Sequence, residues 1–344
     1  MENGEDFPQK WMNFFSLPIL GIMEDKIARH IGDRLGIPHL VDLLAEGLTG
    51  SELSSLLLAV YEKKVEGVRP SLLLQQYRAN RFVHPADLDM IEMLEWGLGA
   101  LRHLKGCNFQ PLELSPVAQW GSCSVVGPTS QKKVVSAVRN TEVLADATNA
   151  MALHIADLRK KGALPGREMA RFCTVHRHVR AQEIKGKGFS AHFKIGCMVS
   201  AGRDLGDHLW ECQALKEQLL ALSSLFREVF GIEQVRFKLL KREDENDHGE
   251  PVARPEKVRS LIDRLVEYLG KEGLEVGRDD APPPNAYYKG IQFKMIIEGA
   301  GREWEIADGG FVDWTQQLLE DKKERLLIAG FGLDLLYRIQ NGMV

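Results

Sequence analysis

The sequence predicts an α+β chain: a helical N-terminal segment, then a largely antiparallel sheet flanked by helices. Two observations point there. Between residues 20 and 106, apolar side chains recur at three- and four-residue spacing, the period of helices with one buried face. From Leu112 onward, strands follow one another in hairpin-like succession with helices between them. That order suits an antiparallel sheet, not a doubly wound parallel one.

The elements read as follows. LVDLLAEGL and SELSSLLLAVYEKKV are helices, the second with Ser51 and Glu52 at its start. A further helix is expected to begin near Pro85 and to stop at Gly106. FQPLELSPVAQWG reads as a strand ending at Pro116, and EVLADATN as a short strand and turn. NAMALHIADLRKKG is a helix with a basic last turn and a terminal Gly. RFCTVHRHVRAQ and FSAHFKIGCMVSAG form a hairpin around a basic, Gly-punctuated tip. ECQALKEQLLALSSLFREVFG is an amphipathic helix, and VRFKLL a strand. After the charged loop 241–256 come a helix at PEKVRSLIDRLVEYLGKEG and the paired strands YYKGIQFKMIIEG and REWEIADGG. VDWTQQLLEDKKERLLIAGFGLDLLYRIQ closes the chain. The Leu- and Met-rich stripes at 52–60 and 88–101 are expected in the core. There is no internal repeat.

Composition bounds the function. The 344 residues are 44% hydrophobic and 27% charged, as in ordinary globular proteins. A net charge of −4 argues against a surface coated for non-specific nucleic-acid binding. The five cysteines, Cys107, Cys123, Cys173, Cys197 and Cys212, form no C-x-x-C pair. They suggest reduced thiols and a cytoplasmic location, with neither a disulfide framework nor a zinc site. No run reaches the ~20 apolar residues of a membrane span, so no membrane is expected. His176 and His178 face the same side of a strand, but no third metal ligand stands at telling spacing, and no metal site is expected.

Three stretches carry a resemblance when taken in order: a helix running into LELSP, the VRAQ…FSAHFKIG hairpin, and ADGGFVDWTQQL running into IAGFGLDLLYRI. Over roughly residues 86–344 this order resembles the three signature motifs of the class II aminoacyl-tRNA synthetase core. It is most similar to histidyl-tRNA synthetase and its regulatory paralogue in ATP phosphoribosyltransferase. The resemblance divides the chain into an N-terminal helical segment, 1–85, and a synthetase-like core, 86–344. It also implies ATP, with Mg²⁺, as a cofactor.

Residue by residue, Pro116 resembles the proline of the first motif, which builds a homodimer interface in the family; an edge-strand proline is the plainer reading. Arg180 matches the second-motif arginine that grips the ATP α-phosphate, a task that suits a permanently charged, forked donor. It is therefore the candidate catalytic residue. Gln182 stands where the family has an acid, and Lys185 and Lys187 fall on the mobile loop. His192 or Phe193 stands where an aromatic stacks on adenine, with an ungapped count favouring His192. Asp146 and Thr148 lie where the substrate's α-ammonium group binds, or simply cap a helix beginning near Asn149. Tyr287, Tyr288, Gly290, Phe293, Gly309, Gly310 and Asp313 match the histidine-pocket elements. In the third motif the Gly pattern persists at Gly330 and Gly332.

The departures are as informative. The family's catalytic Arg and its neighbouring Asp fall on Pro283 and Ala286, and an Arg-Tyr pair becomes Phe311-Val312. The third-motif Arg falls on Tyr337, with Arg338 one place later. That is about 100° around the helix, so Arg338, a cofactor-binding candidate, either compensates through a shifted helix start or points elsewhere. Lys238 stands on the strand that often carries a Mg²⁺-binding carboxylate, with Glu243 and Asp244 just after it. The chain ends soon after the third motif, where a histidyl-type enzyme continues into an anticodon-binding domain, so tRNA is not an expected partner. The resemblance thus implies a paralogue that binds a small ligand, an amino acid or a nucleotide, without aminoacylation. The alternative is an ATP-dependent adenylate-forming ligase with a non-tRNA acceptor. A third possibility is a protein partner docked through the N-terminal helices.

Overall fold

The computed structural model describes residues 18–164, 168–182, 189–242, 255–279 and 287–344. Lys185, Lys187, Glu243, Asp244, Pro283 and Ala286 lie outside the described residues.

Five helices come first: α1 (Pro18–Leu35), α2 (Leu40–Gly47), α3 (Gly50–Val65), α4 (Pro70–Ala79) and α5 (Met90–Gly106). Then follow β1 (Gln110–Pro111), β2 (Val117–Gln119), β3 (Ser136–Ala137), β4 (Thr141–Val143), α6 (Ala147–Lys160), β5 (Ala170–Val179), β6 (His192–Arg203) and α7 (Leu209–Glu228). The last third holds β7 (Val235–Lys241), α8 (Pro255–Lys271), β8 (Glu275–Asp279), β9 (Lys289–Gly299), β10 (Arg302–Val312), α9 (Trp314–Leu319), β11 (Glu324–Gly332) and α10 (Leu333–Gln340).

The main sheet has eight strands in the order β1-β5-β6-β11-β10-β9-β7-β8. Its interior pairs are antiparallel, and the two edge pairs, β1 with β5 and β7 with β8, are parallel. Side chains alternate between the two faces. One face, with Met198, Phe237, Phe293, Ala329 and Phe331, packs under α5, α7, α8 and α10. The other, with Cys197, Val199, Leu326 and Ile328, packs against α6 and α9. Because α6 and α9 cover only part of that second face, the rest is left for a cavity.

Several local expectations change. α5 begins at Met90, not near Pro85, because Asp89 caps it by accepting the Glu92 N–H at 2.9 Å. α3 is capped by Thr49, not Ser51, in a reciprocal box with Glu52. The strand expected up to Pro116 is two short pieces, β1 and β2, since Pro111 and Pro116 offer no backbone N–H to a ladder. The stripe at 52–60 is not core: α2, α3 and α4 contain no buried residue. In α5 the stripe splits. Met93, Gly97, Ala100 and Leu104 are buried, while Met90, Ile91, Leu94 and Leu98 are exposed. No helix among the described residues is long and apolar enough to cross a membrane.

Candidate functional site

The cavity opens on the α6 side of the main sheet and encloses about 120 Å³. Its floor is made by small residues on the central strands. Gly330 pairs with Cys197 on β6 and with Asp308 on β10, and all three line the cavity. A Cβ on Gly330 would meet nothing closer than Ile195, at 3.4 Å, so its missing side chain is space given to the cavity. Gly332 ends β11, and α10 starts at the next residue.

One end of the cavity is built on the N-terminus of α6. Asp146 caps that helix: Oδ1 accepts the Thr148 N–H at 2.9 Å and the Thr148 hydroxyl at 2.7 Å. Its other oxygen, Oδ2, accepts the Tyr287 hydroxyl at 2.7 Å. Capping thus uses one oxygen and a cavity-lining tyrosine the other. Beside it, Tyr288 donates to Asp308 Oδ2 at 2.9 Å, and Gln292 Nε2 donates to the same oxygen at 3.3 Å. Gln292 Oε1 in turn accepts from Arg242 Nε at 2.7 Å. Burial pushes the Asp308 carboxyl up to about 7, against the opposing pull of those donors. Burial also raises both tyrosines well above their usual range, helped by the carboxylates they face.

The other end is cationic. Arg180 follows the last residue of β5, with its guanidinium over the Phe193 ring at 5.2 Å and Nε directed to the Ala145 carbonyl at 3.4 Å. Arg338 lines the cavity from α10, one helical turn beyond Asp334, which also lines it. Of the two outcomes open for Arg338, the place on the cavity wall is the one observed. α10 begins at Leu333, directly after the strand, and that start turns Tyr337 to the opposite core. There the Tyr337 hydroxyl donates to Glu92 at 2.8 Å and its ring packs on Trp96. Burial raises the Asp334 carboxyl, opposed by Arg177 at 3.3 Å.

Strand alternation also decides between His192 and Phe193. Phe193 lines the cavity, whereas His192 turns away to Arg177 (3.0 Å) and to the His84 carbonyl (2.7 Å). Of the other proposed positions, Gln182 is half-buried at the hairpin and does not line the cavity. Gly309 faces the opposite core, where a Cβ would sit 2.5 Å from Phe293. Gly310 makes room for the Tyr288 ring, 2.6 Å from where its Cβ would be. Asp313 stands at the start of α9 without a side-chain capping bond. Lys238 is exposed on β7, paired across the strands with Lys294.

Sequence reasoning missed His178, Cys197, Glu305, Asp308 and Asp334, all cavity-lining. His178 and Asp334 carried a usable signal: the first is two strand positions from Arg180, the second four helix positions from Arg338. The acidic side chains on the wall are engaged: Glu305 by Lys294 at 2.8 Å, Asp308 by Tyr288, Asp146 by Tyr287 and Asp334 by Arg177. Among the described residues no group of three or more His, Cys, Asp and Glu is placed to hold a metal ion.

No protein-family model and no curated protein sequence matches this chain. Solved structures do. An ATP phosphoribosyltransferase regulatory subunit/histidyl-tRNA synthetase from Bacillus halodurans is 13% identical with a TM-score of 0.56, covering 75% of this chain and 83% of that one. A histidine–tRNA ligase subunit from Alicyclobacillus acidocaldarius is 14% identical with a TM-score of 0.54, covering 76% and 96%. The apo histidyl-tRNA synthetase of S. aureus is 11% identical with a TM-score of 0.55, covering 76% and 71%. A likeness at such low identity speaks to architecture alone. The chain carries a class II aminoacyl-tRNA synthetase-like fold, shared with histidyl-tRNA synthetases and their regulatory-subunit relatives.

Proposed function

We propose that this protein is a synthetase-like paralogue that binds an amino acid, ATP or both in a regulatory role, without aminoacylation, in the cytoplasm. One observation carries the reading: Arg180 and Arg338 converge with Asp146, Tyr287 and Tyr288 on one small cavity. A zwitterion or nucleotide would set its anionic oxygens against the guanidinium end and its amino or polar groups against the carboxylate end. The relatives' names supply the two ligand classes. The family's Arg-Tyr pair is replaced by Phe311-Val312, and neither of these residues lines the cavity.

The test is a thermal-shift titration with Mg-ATP and with each common amino acid, repeated on Arg180→Ala. At a hundred times its Kd, a ligand selective for the folded state stabilises it by about 2.7 kcal/mol. A shift in the wild type that is lost in Arg180→Ala is expected. No shift from any of these compounds would reject the reading. The alternative, an adenylate-forming ligase, is favoured by Arg180 together with the retained glycines of β11. It requires carboxylate-dependent exchange of pyrophosphate into ATP, and its absence across a carboxylate panel would eliminate it.

A homodimer belongs to the same proposal, with the N-terminal helices docked on α5 of a second copy. Leu56, Val60, Tyr61, Leu72, Leu73 and Leu74 are exposed on α3 and α4, as are Met90, Ile91, Leu94 and Leu98 on α5. Residues 50–81, which span α3 and α4, carry Lys63, Lys64, Arg69, Arg78 and Arg81 against Glu52, Glu62 and Glu66, while 87–95 carry Asp87, Asp89, Glu92 and Glu95 with no base. The two apolar surfaces are thus complementary in charge, as a closed twofold exchange requires. Light scattering should give two chains for the wild type and one for Leu73→Glu. A wild type that is monomeric at high protein concentration would reject the dimer.

A further inference from the structure

The chain from Tyr77 to His84 leaves α4 and folds into a compact strap. Asn80 Oδ1 accepts the Phe82 N–H at 3.1 Å, and His84 Nε2 donates to the Tyr77 carbonyl at 2.8 Å. The strap grips the β5–β6 hairpin on both of its arms. Arg81 donates to the Ala181 carbonyl on the outgoing arm. On the returning arm, His192 Nε2 donates to the His84 carbonyl at 2.7 Å. The partners dictate that tautomer: Arg177 Nη1, 3.0 Å from His192 Nδ1, can only donate, so the ring proton sits on Nε2. The same Arg177 nitrogen holds Asp334 on the cavity wall at 3.3 Å. The grip through Arg81 bears on Arg180. The β5–β6 ladder ends at Val179 and His192, and Arg180 is the next residue. Beyond it Ala181 is pinned from two sides: its N–H donates to the Lys133 carbonyl at 3.1 Å, and its own carbonyl takes Arg81. Such supporting bonds fix the backbone from which a binding side chain projects. No residue from 77 to 84 lines the cavity, so the strap acts through Arg180 and not on a ligand.

We propose that Arg81 is a positioning residue for Arg180, and that the N-terminal segment thereby controls how tightly the cavity holds an anionic group. With the strap on the hairpin, the Arg180 guanidinium is in place before a ligand arrives. With the strap off, Ala181 loses one of its two pins, and the ligand must order Arg180 as it binds, which costs affinity. This rests on the reading that the cavity takes a small ligand through Arg180, and it adds how that site is regulated. α2, α3 and α4 bury no residue of their own, so little apolar burial holds the segment in place and the polar bonds of the strap carry its attachment to the hairpin. A force that shifts these helices is felt at Arg180.

The experiment has two arms, both on full-length protein labelled with ¹⁵N-arginine. The Arg180 Nε–H resonance is assigned by its loss in Arg180→Ala. In the first arm no ligand is present, and the ¹H–¹⁵N nuclear Overhauser effect at Arg180 Nε reports its motion on the ps–ns scale. It should fall in Arg81→Met, which keeps the side-chain length and removes the donors. It should hold in Arg81→Lys, which keeps a donor, and in Arg34→Met, which removes the same charge from α1. Loss of charge alone would not loosen Arg180, so an unchanged value in Arg81→Met would overturn the proposal. In the second arm, inorganic pyrophosphate is titrated and followed at the same resonance. Arg81→Met should bind it roughly threefold to tenfold more weakly than wild type, the cost of ordering one long side chain on binding. Equal affinity despite a loosened Arg180 would overturn the control of binding by the strap. If Arg180 loosens in Arg81→Met while pyrophosphate, Mg-ATP and amino acids all fail to bind, the ligand reading is wrong and the positioning role of Arg81 stands.

Discussion

Gly309 and Gly330 lie on adjacent paired strands, one on each face of the same sheet, and they do opposite work. Gly309 faces the closed side. A Cβ there would sit 2.4 Å from the Ile328 carbonyl oxygen and 2.5 Å from Phe293, so the glycine exists to let a large ring in. Gly330 faces the cavity, where the nearest atom to a Cβ is 3.4 Å away. One glycine is filled by its neighbours and the other is left open. The lesson is that glycine-rich central strands do not by themselves mark a binding site. Which face each glycine addresses decides it.

The largest expected effect breaks the closed face. Gly309→Ala forces its Cβ against backbone and a packed ring, neither of which can yield cheaply. We expect a loss of about 1–3 kcal/mol or more in denaturant unfolding. A near-neutral result would show that the two faces differ less than their geometry says.

A comparable but pH-gated effect sits on the open face. The Asp308 carboxyl is raised from the model-compound value of 3.8 to about 7 by burial. Its folded-state pKa therefore lies above its unfolded one. The stability that it contributes is fully present below about pH 4 and is lost as pH rises through 7. Asp308→Asn, which keeps an oxygen for Tyr288, should be more stable than wild type at pH 8, by roughly 1–4 kcal/mol. The difference should shrink towards zero near pH 4. A constant difference across that range would mean that Asp308 does not titrate there.

The smallest stability effect carries the sharpest contrast. Gly330→Ala should change folding stability by less than about 1 kcal/mol, since an alanine meets only ordinary contacts and costs less chain entropy than glycine. Yet it takes volume from a cavity of about 120 Å³ and should weaken any ligand-induced thermal shift. If Gly330→Ala leaves that shift intact, the ligand does not reach the sheet floor.

Much of the architecture was readable from residue order. Periodicity placed α6, α7, α8 and the hairpin of β5 and β6, because each buries a regular stripe against a neighbour. The site was half readable. Arg180, Asp146, Thr148, Tyr287, Tyr288, Phe193 and Arg338 do line one cavity. His192 was the wrong neighbour of Phe193 because adjacent strand residues point to opposite faces, and a count of positions does not say which face is the cavity. The stripe at 52–60 misled for a different reason. An apolar stripe predicts burial against something, and among the described residues α3 meets the Arg139–Asn140 loop without burying any of its own residues.

By itself, then, the sequence determined the elements, their order and the residue types available for chemistry. These follow from local periodicity, capping and turn composition, each set within a few residues. Only the tertiary structure decided which of two adjacent side chains meets the cavity: Arg338 and not Tyr337, Phe193 and not His192. It also decided that His178 would be buried, with no hydrogen-bond partner for either ring nitrogen among the described residues. Those outcomes depend on where α10 starts after β11, and on which sheet face α6 and α9 leave uncovered. Both are set by packing between segments far apart in the chain, to which no local pattern gives access.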